Sequence, residues 1–240
     1  MTDSAPAVPI PGRWQTAVVV EVHPETPSAK TFRLRLPDRS PHLAGQHYVV
    51  RLTAPDGYTA ARSYSVASAP DGSAEIEITV ERLPDGEVSS FLHDEVVVGD
   101  TIEVRGPIGG WFVWRGDSPA VLVAGGSGVV PLMAMLRLAR RAGRADLLRL
   151  VVSVRRPVDL YYSQELVGPE TTIVYSRESP PAFLRPPGHM VEQDLPSPMP
   201  VGATGYVCGS SGFADVAASL LIGAGLSASM IRVERFGPTR

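Results

Sequence analysis

The sequence predicts a chain of β + α/β class, with an antiparallel six-stranded β-barrel followed by a parallel α/β domain. Three observations carry this. Short alternating or β-branched runs separated by turn residues fill the first half. Continuous apolar runs alternating with helical patterns fill the second, as in a parallel sheet covered on both faces. The polar stretch Gly116-Asp117-Ser118-Pro119 separates them, which sets expected domains of residues 1–116 and 117–240.

In the first half, strands are expected over residues 14–22, 30–36, 46–52, 62–68, 74–82 and 101–104. Each is bounded by Pro, Gly or Asp turns such as Ala54-Pro55-Asp56-Gly57 and Pro70-Asp71-Gly72. One helical turn is expected over residues 89–95. In the second half, residues 120–124, 148–153, 171–175 and 205–208 read as strands, and residues 132–142, 160–166 and 213–223 as helices. Ligands of such sheets lie at the carboxyl ends of the strands.

Composition narrows the function classes. The 240 residues are 44% apolar and 20% charged, which suits a folded globular protein and not a disordered one. A net charge of −3 gives no electrostatic case for nucleic acid, although all but Lys30 of the 22 basic residues are arginine. A single cysteine, Cys208, excludes internal disulfides, Cys-cluster zinc sites and a Cys-ligated iron–sulfur cluster within these residues, and no metal site is expected. Residues 1–12 lack the basic and apolar blocks of a signal peptide and read as a frayed arm. The uncharged run 118–136 is long enough for a membrane span, but Gly125, Gly126, Gly128 and Pro131 interrupt it. Strand, loop and buried helix are expected there, with no membrane insertion and a cytoplasmic location.

Two stretches carry chemistry by composition alone. In Arg62-Ser63-Tyr64-Ser65, a guanidinium and an aromatic ring share one face of a strand and can hold an anion beside a flat ring. A solvated edge strand is the alternative. Gly125-Gly126-Ser127-Gly128-Val129-Val130-Pro131 joins an apolar strand to a helix, where glycines let backbone approach a pyrophosphate and free N–H groups receive it. It departs from the usual dinucleotide fingerprint, because Pro131 replaces the third glycine and Asp146 falls before the next strand. A tight turn with no ligand is the alternative here.

Arg62-Ser63-Tyr64-Ser65, Gly86-Glu87-Val88-Ser89, Gly106-Pro107-Ile108-Gly109, the Gly125 loop, Cys208-Gly209 and Glu234-Arg235-Phe236 occur in an order that resembles the ferredoxin–NADP reductase superfamily. The resemblance covers nearly the whole chain. It implies an FAD-binding Greek-key barrel and a nicotinamide-dinucleotide domain, with Arg62 on the flavin phosphate, Ser63 beside it, Tyr64 on the ring and Ser65 facing flavin N5. It implies further that Gly86, Val88 and Ser89 complete the phosphate cradle, although an ordinary helix cap accounts for them equally well. Gly126, Ser127 and Gly128 resemble the family's pyrophosphate loop, with Ser in place of the commoner Thr. Cys208 and Gly209 resemble the pair that abuts the nicotinamide, with buried filler as the alternative for Cys208. Ser176 and Arg177 resemble the segment that holds the 2′-phosphate of NADPH, while His189 stands where relatives often place a basic residue. NADPH is therefore favoured, with NADH the alternative, and FAD is favoured over FMN. Glu234 and Phe236 resemble the segment that returns to the flavin, the carboxylate beside the reacting carbons and the aromatic over the ring. A tail without a role is the alternative.

The function implied is hydride transfer from C4 of NADPH or NADH to flavin N5, with Ser65, Cys208, Glu234 and Phe236 as catalytic residues. Electrons then pass singly to a separate acceptor such as a ferredoxin or a haem protein. The other class left open is a flavin-binding electron-input subunit or redox-sensing module of a larger complex, without turnover of its own.

Overall fold

The computed structural model describes residues 12–38 and 41–236. Of the arm expected over residues 1–12, residues 1–11 lie outside the described residues, as does the tail beyond Phe236. The first half holds β1 (Trp14–Thr26), β2 (Ala29–Arg35), β3 (His47–Thr53), β4 (Thr59–Ser65), β5 (Glu75–Glu81), α1 (Glu87–Asp94) and β6 (Thr101–Ile108). Its strands form one six-stranded sheet in the order β4-β3-β6-β1-β2-β5, antiparallel at every pairing. The two edges approach one another: Val66 bridges Ile78, and the Ala67 N–H donates to the Glu77 carbonyl at 2.7 Å. The sheet therefore rolls into a nearly closed barrel. Inward residues at period two, among them Phe32, Leu34, Val50, Ile78 and Val104, fill it. Val88 and Leu92 of α1 join the same core and cap one end.

The second half holds β7 (Ala120–Gly125), α2 (Val129–Arg141), β8 (Leu148–Val154), β9 (Thr171–Tyr175), β10 (Thr204–Gly209), α3 (Ser211–Gly223) and β11 (Ile231–Arg235). These strands form a parallel sheet in the order β11-β10-β7-β8-β9. The apolar run of β7 serves two layers. Leu122 and Ala124 pack with α2, while Val121 and Val123 pack with Ala214, Ala217 and Leu221 of α3. No described helix is long and apolar enough to cross a membrane, and the uncharged run forms the strand, loop and helix the glycines indicate.

The structure corrects four expectations. The central strand runs over Thr59–Ser65 and not 62–68: Leu52, Arg51 and Val50 of β3 pair with Ala60, Ala61 and Arg62, and Val66 turns away to meet β5. The first strand continues past His23-Pro24 to Thr26, because the hairpin to β2 turns only at residues 27–28. No helix forms over residues 160–166. Leu160, Tyr161 and Tyr162 are all buried, and Tyr162 takes φ 50°, which a right-handed helix cannot contain. Finally, residues 231–235 are a fifth parallel strand and not a tail.

Candidate active site

Arg62 and Tyr64 project from the same face of β4, opposite Val50 and Tyr48 of β3, and Ser65 lies opposite His47. The Arg62 guanidinium is exposed, and among the described residues its one bond is to the neighbouring Ala61 carbonyl at 2.7 Å, which leaves most of its donor fork available to an anion. Tyr64 is half-buried against the barrel core, and burial pushes its hydroxyl pKa up despite the nearby Arg62 charge. It therefore stays neutral and presents a ring. Ser63 is exposed and Ser65 buried. Because β4 ends the sheet, its outer backbone edge has no strand partner before Val66 among the described residues, which leaves peptide donors and acceptors beside Tyr64 and Ser65.

Helix α1 starts beyond Gly86, whose φ −94° and ψ 98° are those of an N-cap. The N–H groups of Glu87, Val88 and Ser89 have no hydrogen-bond partner among the described residues. The Ser89 hydroxyl is engaged inward, donating to the Gly86 carbonyl at 3.1 Å and accepting from the Leu83 N–H at 3.2 Å. A Cβ on Gly86 would fall 2.3 Å from that oxygen, so the turn requires glycine. The expected cradle thus has backbone donors, while the Ser89 side chain serves the cap.

The glycine loop between β7 and α2 closes tightly on β10. A Cβ on Gly128 would lie 2.2 Å from the Cys208 carbonyl oxygen, and one on Gly125 would enter the Phe213 ring at 2.6 Å. Gly126 takes φ +55° with open space beside it, and Ser127 follows at the surface of the turn. Pro131 occupies the first turn of α2. At the end of β10, Cys208 is fully buried, and burial together with Glu234 pushes its thiol pKa well up, which gives it the character of packing and not of a nucleophile. Its partner in β11 is Glu234, whose carboxyl is pushed up to about 7 by burial. The Phe236 N–H donates to the Gly209 carbonyl at 2.8 Å, and its ring is half-buried against the cluster that contains Cys208 and Ala67.

Ser176 and Arg177 follow β9, and their N–H groups bond the Val154 and Arg155 carbonyls at 2.8 and 3.0 Å. The Arg177 guanidinium is exposed, with no hydrogen bond or ion pair to the described residues. Arg156, by contrast, is engaged by Asp159 through two bonds of 3.1 and 3.0 Å. His189 is exposed on the segment that returns to Tyr175 through the Gly188 N–H.

The structure therefore gathers Gly126, Ser127, Gly128, Cys208, Gly209, Glu234 and Phe236 at the carboxyl edge of the parallel sheet, and Arg62, Tyr64 and Ser65 on the barrel's open strand. The donor set fits FAD: a free guanidinium and unpaired helix N–H groups for pyrophosphate, and a neutral aromatic ring for the isoalloxazine. The Gly128 contact fits a dinucleotide loop in which backbone must come close. Sequence reasoning missed Arg137, which crosses from α2 to the barrel. Its one signal is a charge set between the apolar residues Leu136 and Leu138.

Comparison with known proteins agrees with this arrangement. Residues 16–113 match the model of the oxidoreductase FAD-binding domain. The chain is 31% identical to the reductase subunit of an aromatic O-demethylase from Amycolatopsis, over 99% of its own length and 73% of that protein. It is 37% identical to ferredoxin–NADP reductase B of Sorangium cellulosum over 62% of each chain, so it spans less than two thirds of that relative. Among solved structures, the flavohaem-like FAD/NAD-binding domain of nitric oxide dioxygenase from Vibrio cholerae superposes with a TM-score of 0.83 at 27% identity, covering 93% of this chain and 99% of that one. The fold and the matched domain define a two-sheet, FAD-binding oxidoreductase. The chain belongs to the ferredoxin–NADP reductase superfamily.

Proposed function

We propose that the chain is an NAD(P)H-dependent FAD reductase that hands electrons singly to a separate acceptor, such as a ferredoxin-like or haem protein. On this reading residues 1–116 form the FAD-binding domain and residues 117–240 the NAD(P)-binding domain, working in the cytoplasm. The observation that carries it is the meeting of the glycine loop, Cys208-Gly209 and Glu234 to Phe236 at one sheet edge. When bound, FAD supplies hydride acceptance at N5 and release of electrons one at a time.

The chain's own residues bind, orient and shield. Arg62 and the N–H groups of Glu87, Val88 and Ser89 hold the flavin pyrophosphate. Tyr64 packs on the ring, and Ser65 offers a hydroxyl that can donate or accept as the protonation of N5 changes. Gly126, Ser127 and Gly128 receive the nucleotide pyrophosphate. Cys208 and Gly209 back the nicotinamide, Glu234 stands beside the reacting carbons, and Phe236 covers the ring and excludes water until the nucleotide enters. Arg177 and Ser176 select NADPH through its 2′-phosphate, with NADH the alternative. With one cysteine in these residues, no Cys-ligated cluster follows the flavin here.

The test is flavin retention in Arg62→Ala. Loss of a charge-assisted pair should weaken FAD by about 1.5–3 kcal/mol in equilibrium titration. Unchanged affinity would remove Arg62 from the site.

A further inference from the structure

Arg137 lies two turns beyond the glycine loop on α2, among buried apolar neighbours, and its side chain is 20% exposed. Its partners come from three distant segments. Nε and Nη2 fork onto the Glu165 carboxylate, while Nη1 donates to Glu77 Oε2 at 2.7 Å and to the Ala67 carbonyl at 3.0 Å. The Tyr162 ring lies beneath, 5.2 Å from the guanidinium carbon. Burial opposes the charge, and the hydrogen bonds that Arg137 donates to Glu165, with the Glu165 and Glu77 charges, outweigh it, so the pKa is raised. Ala67 stands two residues beyond Ser65, and its N–H is bonded to the carbonyl of Glu77. A second tie runs in parallel: the Tyr162 hydroxyl meets Thr79, Thr79 meets Thr31 at 2.6 Å, and Glu25 receives both the Thr31 hydroxyl and the Tyr162 N–H.

One guanidinium thus joins the helix that begins at the dinucleotide loop to the backbone that carries Ser65. From Gly128 to Arg137 the connection is nearly all α-helix, a stiff element about 14 Å long. We propose that Arg137 is a positioning residue that sets the spacing between the dinucleotide loop and the flavin strand, and hence the reach from nicotinamide to flavin. This rests on the functional reading above. Reacting atoms must come within about 3–3.5 Å, and a misplacement of about 1 Å far from the chemistry can lower the rate about a hundredfold.

The variants are Arg137→Lys, which keeps the charge but cannot fork onto Glu165 while reaching Glu77 and Ala67, and Glu77→Gln, which weakens the same tie from the barrel side. In anaerobic single-turnover reduction at saturating NADPH, both should lower the limiting rate at least about tenfold while nucleotide and flavin dissociation constants stay within about twofold. Hydrogen exchange on the flavin-free protein should show faster exchange at the Val66 and Ala67 amides in both variants, a readout independent of turnover. Reduction of the bound flavin by dithionite should keep its wild-type rate. Wild-type limiting rates and exchange in Arg137→Lys would overturn the proposal alone. Failure of the wild-type protein to bind or reduce flavin would overturn the functional reading and this inference with it.

Discussion

Replacing Glu234 with glutamine should change how stability depends on pH. In the folded chain the carboxyl is half-buried opposite Cys208, and burial pushes its pKa from an ordinary 4.5 up to about 7. A raised acid pKa means that the unfolded chain ionises first as pH rises. The stabilising contribution of the protonated group is full below about pH 4.5 and lost by about pH 7, with no further loss above. The displacement corresponds to about 2–4 kcal/mol. Glutamine keeps the shape and never ionises, so the stability of the variant relative to wild type should rise by that amount across the window. Urea unfolding of both proteins from about pH 4 to about pH 8 measures the difference directly. Two curves that stay parallel throughout would refute a buried, neutral Glu234 and the pH dependence drawn from it.

The glycine loop and Arg177 yield two more tests. Gly128→Ala would place Cβ 2.2 Å from the Cys208 carbonyl oxygen, a backbone clash that forces loop and strand apart at about 3 kcal/mol or more, whereas Gly126→Ala meets open space and carries only the strain of its φ of +55°, about 1–2 kcal/mol. Thermal melts that rank the two variants the other way would contradict the packing. Arg177→Ala should raise KM for NADPH and leave KM for NADH nearly unchanged, since only NADPH carries the 2′-phosphate. Equal loss for both nucleotides in steady-state assays would make Arg177 structural.

Much of the architecture is legible in short-range pattern. Period-two alternation in the first half and unbroken apolar runs such as residues 120–124 decide the two sheets. The misplacement of β4 has a local cause: Ala60 and Ala61 carry little strand signal and are strand only because β3 pairs with them. Tyr161 and Tyr162 look helical in a segment with Leu160 and Leu166, but the pull of both rings into the core bends the backbone through a positive φ. β11 escaped notice because its pairing with β10 joins segments 26 residues apart, as at Tyr206 and Arg232, which sequence pattern alone does not link. Motif residues at loop ends were readable from their types. Arg137 was not, because its meaning depends on Glu165, Glu77 and Ala67, which lie 28, 60 and 70 residues away.

The most direct measurement is anaerobic titration of the purified, FAD-supplemented protein with NADPH and with NADH, followed by the flavin's visible absorption. The expected result is a yellow protein whose colour bleaches on adding NADPH and returns when an artificial one-electron dye is reduced. A protein that takes up no flavin, or a bound flavin that neither nucleotide bleaches, would contradict it.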